Sequence, residues 1–239
     1  RGSPWMRIAL FFSPSSLDGI AFWTKEPRPF FHHLEKIITA DIPFYFLYSL
    51  NAYEKEIEQN LPVWQDKINT FRSLSQMAGK KRIIWRYDPV FYVSGRYSQN
   101  YHVESFHQLC ESLQTSTGKC IISFLVNYQK TRRNMKSIPF FVPNREEQWV
   151  LLDKMKQLAD QYSIELQGCC LPDYQKELTG RHISQPVNNG PCVDHRYLSQ
   201  ISGKEIMTSI DKAQRKTCNC SKSLDIGTYD TCLNGCLYC

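Results

Sequence analysis

The chain has 239 residues, of which 42% are hydrophobic and 22% charged, with ten cysteines and a formal net charge of +6. This composition supplies enough apolar side chains for a full core, which excludes wholesale disorder, and the chain is too long to be a small disulfide scaffold. No run approaches the roughly 18 consecutive apolar residues of a membrane-spanning helix, so we expect no membrane partner. The mild basic surplus permits a nucleic-acid partner without favouring one.

The first six residues, Arg-Gly-Ser-Pro-Trp-Met, resemble a remnant of an expression vector. We therefore predict one β/α domain over residues 7–239, with a cysteine-rich C-terminal segment at 214–239. The apolar run at 8–12 is too short for the core of an export signal, which favours a cytoplasmic location. In that reducing compartment, clustered cysteines are expected to bind metal or act as catalytic thiols.

Apolar runs of strand length alternate with segments of helical spacing. Strands are predicted at 19–23, 43–50, 82–87, 120–126, 164–168 and 223–229, and helices at 29–38, 63–77, 103–113 and 145–162. This alternation predicts an α/β fold with parallel strands. A β/α barrel, complete or partial, is favoured over a doubly wound sheet, because polar residues follow nearly every strand and would share one face. Pro89 predicts the end of central pairing in its strand.

The last cysteines, Cys232, Cys236 and Cys239, have the spacing C-x3-C-x2-C. Three thiolates can bind three irons of a [4Fe–4S] cluster and leave the fourth open to chelate S-adenosylmethionine, whose reductive cleavage would need an electron donor. Gly235 permits a tight turn, and Tyr238 places a ring where it could pack on adenine. The alternatives are a closed, four-cysteine cluster with an electron-transfer or structural role and a zinc site completed by Cys218 or Cys220.

Four further cysteines supply the number of thiolates that a second, closed cluster needs; they are Cys169, Cys192, Cys218 and Cys220. Cys110 and Cys120 lie among apolar neighbours and are predicted to be buried thiols. Cys170 is expected to point away from Cys169 if the strand before them continues.

Several stretches carry a resemblance to a known family: 18–27 (DGIAFWTKEP), 84–89 (IWRYDP), 120–124 (CIISF), 128–134 (YQKTRRN), 166–169 (LQGC), 190–194 (GPCVD) and 214–239. In these the chain resembles a bacterial family catalogued as domain of unknown function 1848. That family has a C-terminal cysteine cluster like the one found near the N-terminus of radical S-adenosylmethionine enzymes. The resemblance implies a permuted barrel in which 223–229 is the strand before the cluster loop. It also implies that further residues precede and follow this chain. The Gly-Gly-Glu motif that holds the cofactor's amino group in radical enzymes does not occur in the sequence.

Charged and aromatic residues after the predicted strands are candidates for binding the cofactor or an anionic substrate; they are Lys25, Arg86, Asp88, Tyr128, Lys130 and Arg132. Arg86 and Asp88 would share one face of their strand, either orienting a ligand or forming a structural pair. Lys25 is alternatively a solvated charge, and 128–133 a solvated basic helix face. Gln167 and Asp194 are candidates to hydrogen-bond cluster ligands.

Three hypotheses follow. The first is an iron–sulfur enzyme of radical S-adenosylmethionine type on a β/α barrel, with no catalytic residue assigned and an unidentified small-molecule or macromolecular substrate. The second is a non-catalytic iron–sulfur protein with closed clusters. The third is a zinc protein that binds nucleic acid through residues 130–133. Phosphate-loop, dinucleotide and serine-hydrolase motifs do not occur in the sequence.

Overall fold

The structure is a computed structural model that describes residues 16–171, 187–227 and 231–239. The predicted vector remnant at 1–6 and the apolar run at 8–12 lie outside these residues. So do the last two positions of the predicted strand 223–229.

Five parallel strands form the main sheet in the order in which they occur in the chain. They are β1 (Ile20–Thr24), β2 (Phe44–Ser49), β3 (Ile83–Val90), β5 (Lys119–Phe124) and β7 (Glu165–Gly168). The crossovers between them contain α1 (Phe31–Thr39), α2 (Trp64–Ala78), α3 (Gln99–Leu113) and α5 (Arg145–Gln161). The predicted α/β class with a parallel sheet is therefore confirmed.

Two short strands, two further α-helices and two 3-10 turns, at Arg28–Phe30 and Lys80–Arg82, complete the described part of the chain. β4 (Tyr92–Val93) and β6 (Phe140–Phe141) pair antiparallel, while α4 (Gln129–Asn134) follows β5 and α6 (His195–Ser202) follows β7. α4 corresponds to the basic helix face given as an alternative for 128–133, whereas β4, β6 and α6 were not predicted. Within the described residues no helix has both the length and the apolar character needed to cross a membrane.

The crossover helices pack on one face of the sheet. Alternate strand residues such as Phe46, Trp85 and Ile122 meet apolar side chains of α1, α2, α3 and α5 in one large cluster. Each of these helices buries a single stripe, as their spacing predicts. All six residues of β2 are buried because both faces of this inner strand are covered.

The other face of the sheet has a smaller apolar cover. Tyr45, Leu47, Ile84 and Ile121 pack there against Leu198 of α6 and other residues of the segment 187–221. This segment also carries three of the cysteines that the sequence analysis selected. The same strand faces continue toward their carboxyl ends with polar side chains, which sets the position of the site.

Two sequence predictions about strands are wrong. Residues 223–227, the described part of the sixth predicted strand, are not in a strand, and Leu224 and Ile226 are 66% and 62% exposed. The alternation of these two residues mimics a half-buried strand, but residues 223–227 pair with no described strand. Central pairing also continues past Pro89: β3 extends to Val90, which pairs with Phe124 after a register shift that accommodates the missing N–H.

Candidate functional site

A pocket of about 970 Å³ opens at the carboxyl ends of β1, β2, β3 and β5. The carboxyl ends of parallel strands meet at one edge of a sheet, so residues far apart in the sequence converge there. The lining includes nine residues that the sequence analysis selected: Lys25, Arg86, Asp88, Tyr128, Lys130, Cys232, Cys236, Tyr238 and Cys239.

The cysteine loop, residues 231–239, forms one wall of this pocket and is held by the segment after β2. Asn60 donates from its backbone nitrogen to Asn234 O at 3.1 Å and from its side chain to Leu233 O at 2.7 Å. Leu237 N donates to Ile57 O at 2.9 Å. Gly235 has a φ of 63°, and a Cβ on it would lie 2.9 Å from Asn60 Nδ2, so this turn requires glycine.

Helix α4 holds the same loop from the other side. Thr131 Oγ1 donates to Tyr238 O at 3.3 Å, and Asn134 Nδ2 donates to Cys239 O at 3.1 Å. The segment predicted as a basic patch thus has polar residues that fasten the cysteine loop. Tyr128 and Lys130 line the pocket, whereas Arg132 is exposed, donates to Asn127 and is not in the pocket lining.

Glu58 lies beneath the cysteine loop and is almost fully buried. Its carboxylate forms ion pairs with Lys25 at 3.0 Å and Lys67 at 2.9 Å and accepts a hydrogen bond from Tyr238 Oη at 2.5 Å. Burial alone would raise the pKa of Glu58, but the two ammonium groups and the phenol outweigh it and hold that pKa below its ordinary value. Glu58 is therefore a buried carboxylate with a full set of partners.

Tyr238 contributes to the pocket wall mainly through its edge. The residue is 9% exposed, its ring contacts Tyr53 and Phe91, and the Lys25 ammonium lies 5.3 Å from the ring centroid. With its hydroxyl bonded to Glu58, the side chain anchors the cysteine loop. Burial raises the pKa of Tyr238 well above its ordinary value, so the hydroxyl is a donor.

Arg86 and Asp88 form an ion pair at 2.9 Å on the pocket floor. Asp88 also accepts from Ser123 Oγ, and the Asn51 side chain bonds both its backbone nitrogen (2.8 Å) and its backbone oxygen (2.7 Å). Arg86 Nε is buried without a hydrogen-bond partner among the described residues. Burial opposes the charge of Arg86, but Asp88 and nearby thiols outweigh it and raise its pKa. One of those thiols belongs to Cys192.

The four-thiol group, Cys169, Cys192, Cys218 and Cys220, gathers beside Arg86. The Cys192 thiol lies next to the thiols of Cys169 and Cys220, and the Cys218 thiol lies next to that of Cys220. Backbone nitrogens also donate to sulfur: Cys192 N to Cys220 Sγ at 3.2 Å, and Cys220 N to Cys218 Sγ at 3.5 Å. Three separate segments of the chain thus bring four sulfurs into contact.

The electrostatic surroundings divide this group. The neighbouring Cys192 thiol lowers the pKa of Cys169 and of Cys220, whereas those same two contacts raise the pKa of Cys192, and burial raises the pKa of Cys218. Arg215 Nη2 lies 3.8 Å from Cys169 Sγ, and Arg215 also lines the pocket. Within the described residues, however, no three His, Cys, Asp or Glu side chains surround a common point at metal-binding spacing. The sulfurs touch in pairs, and side-chain rotation would be needed for them to share an ion.

Cys170 does not point away from Cys169, contrary to expectation. Strand β7 ends at Gly168, and Cys170 has a φ of 55°. This turn ends the alternation of a strand, so Cys170 packs on the same side as Cys169 and hydrogen-bonds to it. Cys110 and Cys120 are buried in the helix-face core as predicted, and burial raises the pKa of Cys110 to about 12.

Two predicted neighbours of the cluster ligands have other contacts. Asp194 caps α6 by accepting from Arg196 N at 3.0 Å and Tyr197 N at 3.1 Å. Gln167 Nε2 donates to Glu165, while Gln167 Oε1 is buried without a partner among the described residues.

The sequence analysis missed Glu58, Asn51, Arg215 and Cys170 as members of the site. Glu58 and Asn51 lie in the connection between β2 and α2, where no motif surrounds them. Arg215 could have been identified from the sequence, because it lies three residues before the Cys218-Asn219-Cys220 motif.

The comparison with protein families gives one match, to the family described as Domain of unknown function (DUF1848), over residues 5–239. No curated protein and no solved structure matches the chain.

Proposed function

The chain belongs to the DUF1848 family, and from that premise we propose that it is an iron–sulfur protein of radical S-adenosylmethionine type with two cluster sites. Cys232, Cys236 and Cys239 would hold an open [4Fe–4S] cluster, and the four-thiol group would hold a closed one. The observation that carries the proposal is the gathering of four cysteines from three segments beside a pocket that the other three line.

The donor chemistry fits these groups. Four sulfurs with backbone N–H donors and two neighbouring arginines suit a tetrathiolate cluster, which carries negative charge that Arg86 and Arg215 would offset. When bound, an open cluster supplies one-electron reduction of a sulfonium cofactor.

The proposal assigns binding and positioning roles to residues in and beside the pocket. Lys25 and Arg215 would bind the carboxylate of S-adenosylmethionine or of an anionic substrate, since both line the pocket. Tyr128, 59% exposed, offers a ring at the rim on which a base could stack. Asp88, fixed by Asn51 and Ser123, would hold Arg86 in one orientation.

We also propose a β/α barrel, opened between β7 and β1. Strands in sequential order with all crossover helices on one face are the arrangement of a barrel wall, whereas a doubly wound sheet has helices on both faces. The thiolate sites call for a reducing compartment, so we propose a cytoplasmic location.

Zinc binding is the second candidate function. The four-thiol group, with its Cys218-Asn219-Cys220 pair, also matches the tetrahedral sulfur site of structural zinc. On this alternative the exposed basic residues of α4 would be available to nucleic acid.

Anaerobic reconstitution with iron and sulfide separates the candidates. We expect about eight irons per chain and absorbance near 400 nm, falling to about four irons in both Cys236→Ala and Cys220→Ala, and unchanged in the control Cys110→Ala. One equivalent of zinc at the four-thiol group, with no absorbance in that region, would favour the zinc protein instead.

A second measurement tests the radical chemistry. The reconstituted protein is incubated with S-adenosylmethionine and a low-potential reductant, and 5′-deoxyadenosine is quantified. We expect its formation in the parent protein and in Cys110→Ala but not in Cys236→Ala. If both clusters assemble and no 5′-deoxyadenosine forms, the protein is an iron–sulfur protein without this activity.

A further inference from the structure

We propose that Glu58 is a positioning residue that orders the cysteine loop before any metal binds and keeps Lys25 in the pocket wall. The inference rests on the proposed function only in treating the loop as a metal site. Glu58 itself is absent from the pocket lining, and its side chain is 1% exposed.

The carboxylate of Glu58 joins three parts of the molecule that are distant in sequence. Oε1 meets Lys25, which follows β1, at 3.0 Å and Tyr238 Oη of the cysteine loop at 2.5 Å. Oε2 meets Lys67 of α2 at 2.9 Å. One buried group therefore fixes the loop relative to the strand end and to a helix of the main core.

Backbone contacts around Glu58 also join this segment to the cysteine loop. Residue 58 forms an antiparallel bridge with Cys236, and its neighbours Ile57 and Asn60 bond to Leu237 and Asn234. The loop thus pairs with 57–60 through an isolated antiparallel bridge and flanking backbone hydrogen bonds, in register with the buried carboxylate. Side chain and backbone fix the same register, and a slip of one residue would remove Tyr238 from Glu58.

Electrostatics explain why this register is specific. A buried carboxylate is costly unless its partners are in place, and here two ammonium groups and one phenol satisfy it. Lys67 is also held by Asn51 O at 3.1 Å, which keeps it buried independently of the loop. The Tyr238 hydroxyl completes the set of donors to Glu58, and it does so only when the cysteine loop is in place. The order of the loop and the stability of the buried Glu58 charge are therefore coupled.

Hydrogen exchange of the metal-free protein, followed by mass spectrometry, tests the inference. In Glu58→Gln we expect the peptide that contains 232–239 to exchange about tenfold faster than in the parent, because the register is lost by local opening. Peptides from β2 and from 187–221 should keep their parent rates. Glu54→Gln is the matched control, since its side chain is 63% exposed and pairs only with Arg96 at the surface.

A second variant covers the case in which Glu58→Gln does not fold, because that change leaves two lysines without their carboxylate. Tyr238→Phe removes only the hydroxyl and should still raise exchange of 232–239, by about threefold, with unchanged circular dichroism. Parent rates for 232–239 in a folded Glu58→Gln protein, or in Tyr238→Phe if the former does not fold, would overturn the role of Glu58.

Iron binding gives an independent readout. After reconstitution and reduction of the clusters with dithionite, we expect Glu58→Gln to lack the electron paramagnetic resonance signal of the loop cluster while the signal of the four-thiol group persists. If even the parent protein binds no iron at the loop, the proposed function fails there. The exchange result for 232–239 then still decides whether Glu58 orders the loop.

Discussion

At the scale of single residues, His102 is a buried group that makes folding sensitive to pH. Its Nε2 donates to Phe91 O at 2.9 Å, because a carbonyl oxygen can only accept, and Nδ1 therefore accepts from Tyr87 Oη at 2.8 Å. The bond from Tyr87 requires the neutral imidazole, because Nδ1 can accept only when it carries no proton. Burial lowers the pKa of His102 to about 4.

The stability of the protein should accordingly decrease as the pH falls from 7 to 5. In this window the unfolded histidine, with a pKa near 6.5, takes up a proton that the folded one does not, so the free energy of unfolding decreases by about 2 kcal/mol. Urea unfolding of the metal-free protein at the two pH values measures this loss. His102→Gln should lose less over the same range, whereas the exposed control His107→Gln should behave like the parent. Equal losses in the parent and His102→Gln would contradict the assignment.

At the scale of elements, the end of β7 determines where the first cysteine of the four-thiol group lies. A Cβ on Gly168 would lie 2.0 Å from Leu171 Cδ1 and 2.4 Å from its Cγ. The Asn189 side chain closes the same turn by accepting from Leu171 N at 2.7 Å and donating to Leu171 O at 2.9 Å. The chain can reverse beside Cys169 only because residue 168 has no side chain.

Gly168→Ala should therefore destabilise the protein by about 1–3 kcal/mol, the usual cost of forcing an extra methyl group into a packed site. Gly118→Ala is the control, since the nearest atom to its added Cβ would be Lys80 Cε at 3.9 Å, and we expect a change within about 0.5 kcal/mol. Urea unfolding of both variants, compared with the parent protein, measures these changes in the free energy of unfolding. A Gly168→Ala protein as stable as the parent would mean that Leu171 moves aside without cost.

The elements that could be predicted from the sequence are those whose apolar spacing reflects burial in the core. Elements that depend on contacts with distant parts of the chain could not be predicted. Strands β1, β2, β3, β5 and β7 and the crossover helices carry a periodic apolar pattern because each buries a stripe or a face. α4 and α6 are too short for that pattern. Residues 223–227 have the pattern without a pairing partner, because strand formation needs an edge that spacing alone does not reveal.

The site was partly predictable for a related reason. Cysteine is rare and its sequence spacing is informative, so residue type alone selected the thiols that the structure brings to one edge. Glu58 and Asn51 are common residue types in an irregular connection, and their importance comes from partners at Tyr238 and Asp88. Such pairings are set by the folded chain, with no local pattern to mark them.

At the scale of the whole molecule, the four-thiol group fastens the segment 187–221 across the face of the sheet that lacks crossover helices. That face has a small apolar cluster, and the segment joins it through Leu198 and Ile206. Its hydrogen bonds to the sheet include Tyr45 Oη to Cys192 O at 2.5 Å and Gly168 N to Asn188 O at 2.8 Å. Cys169, just after β7, lies beside Cys192, so the thiol contacts also join the segment to the sheet.

Metal removal should therefore loosen one part of the molecule and leave the rest intact. A cluster or ion that binds only the folded arrangement adds its binding free energy to the stability of 187–221, whereas the helix-face core depends on apolar burial alone. On chelation of the reconstituted protein, amide exchange in 187–221 should rise at least about tenfold, and β2 and β3 should keep their protection. Cys220→Ala should show the same exchange with or without chelator. If chelation instead releases β2 and 187–221 together, the protein unfolds as one unit and the metal stabilises the whole fold.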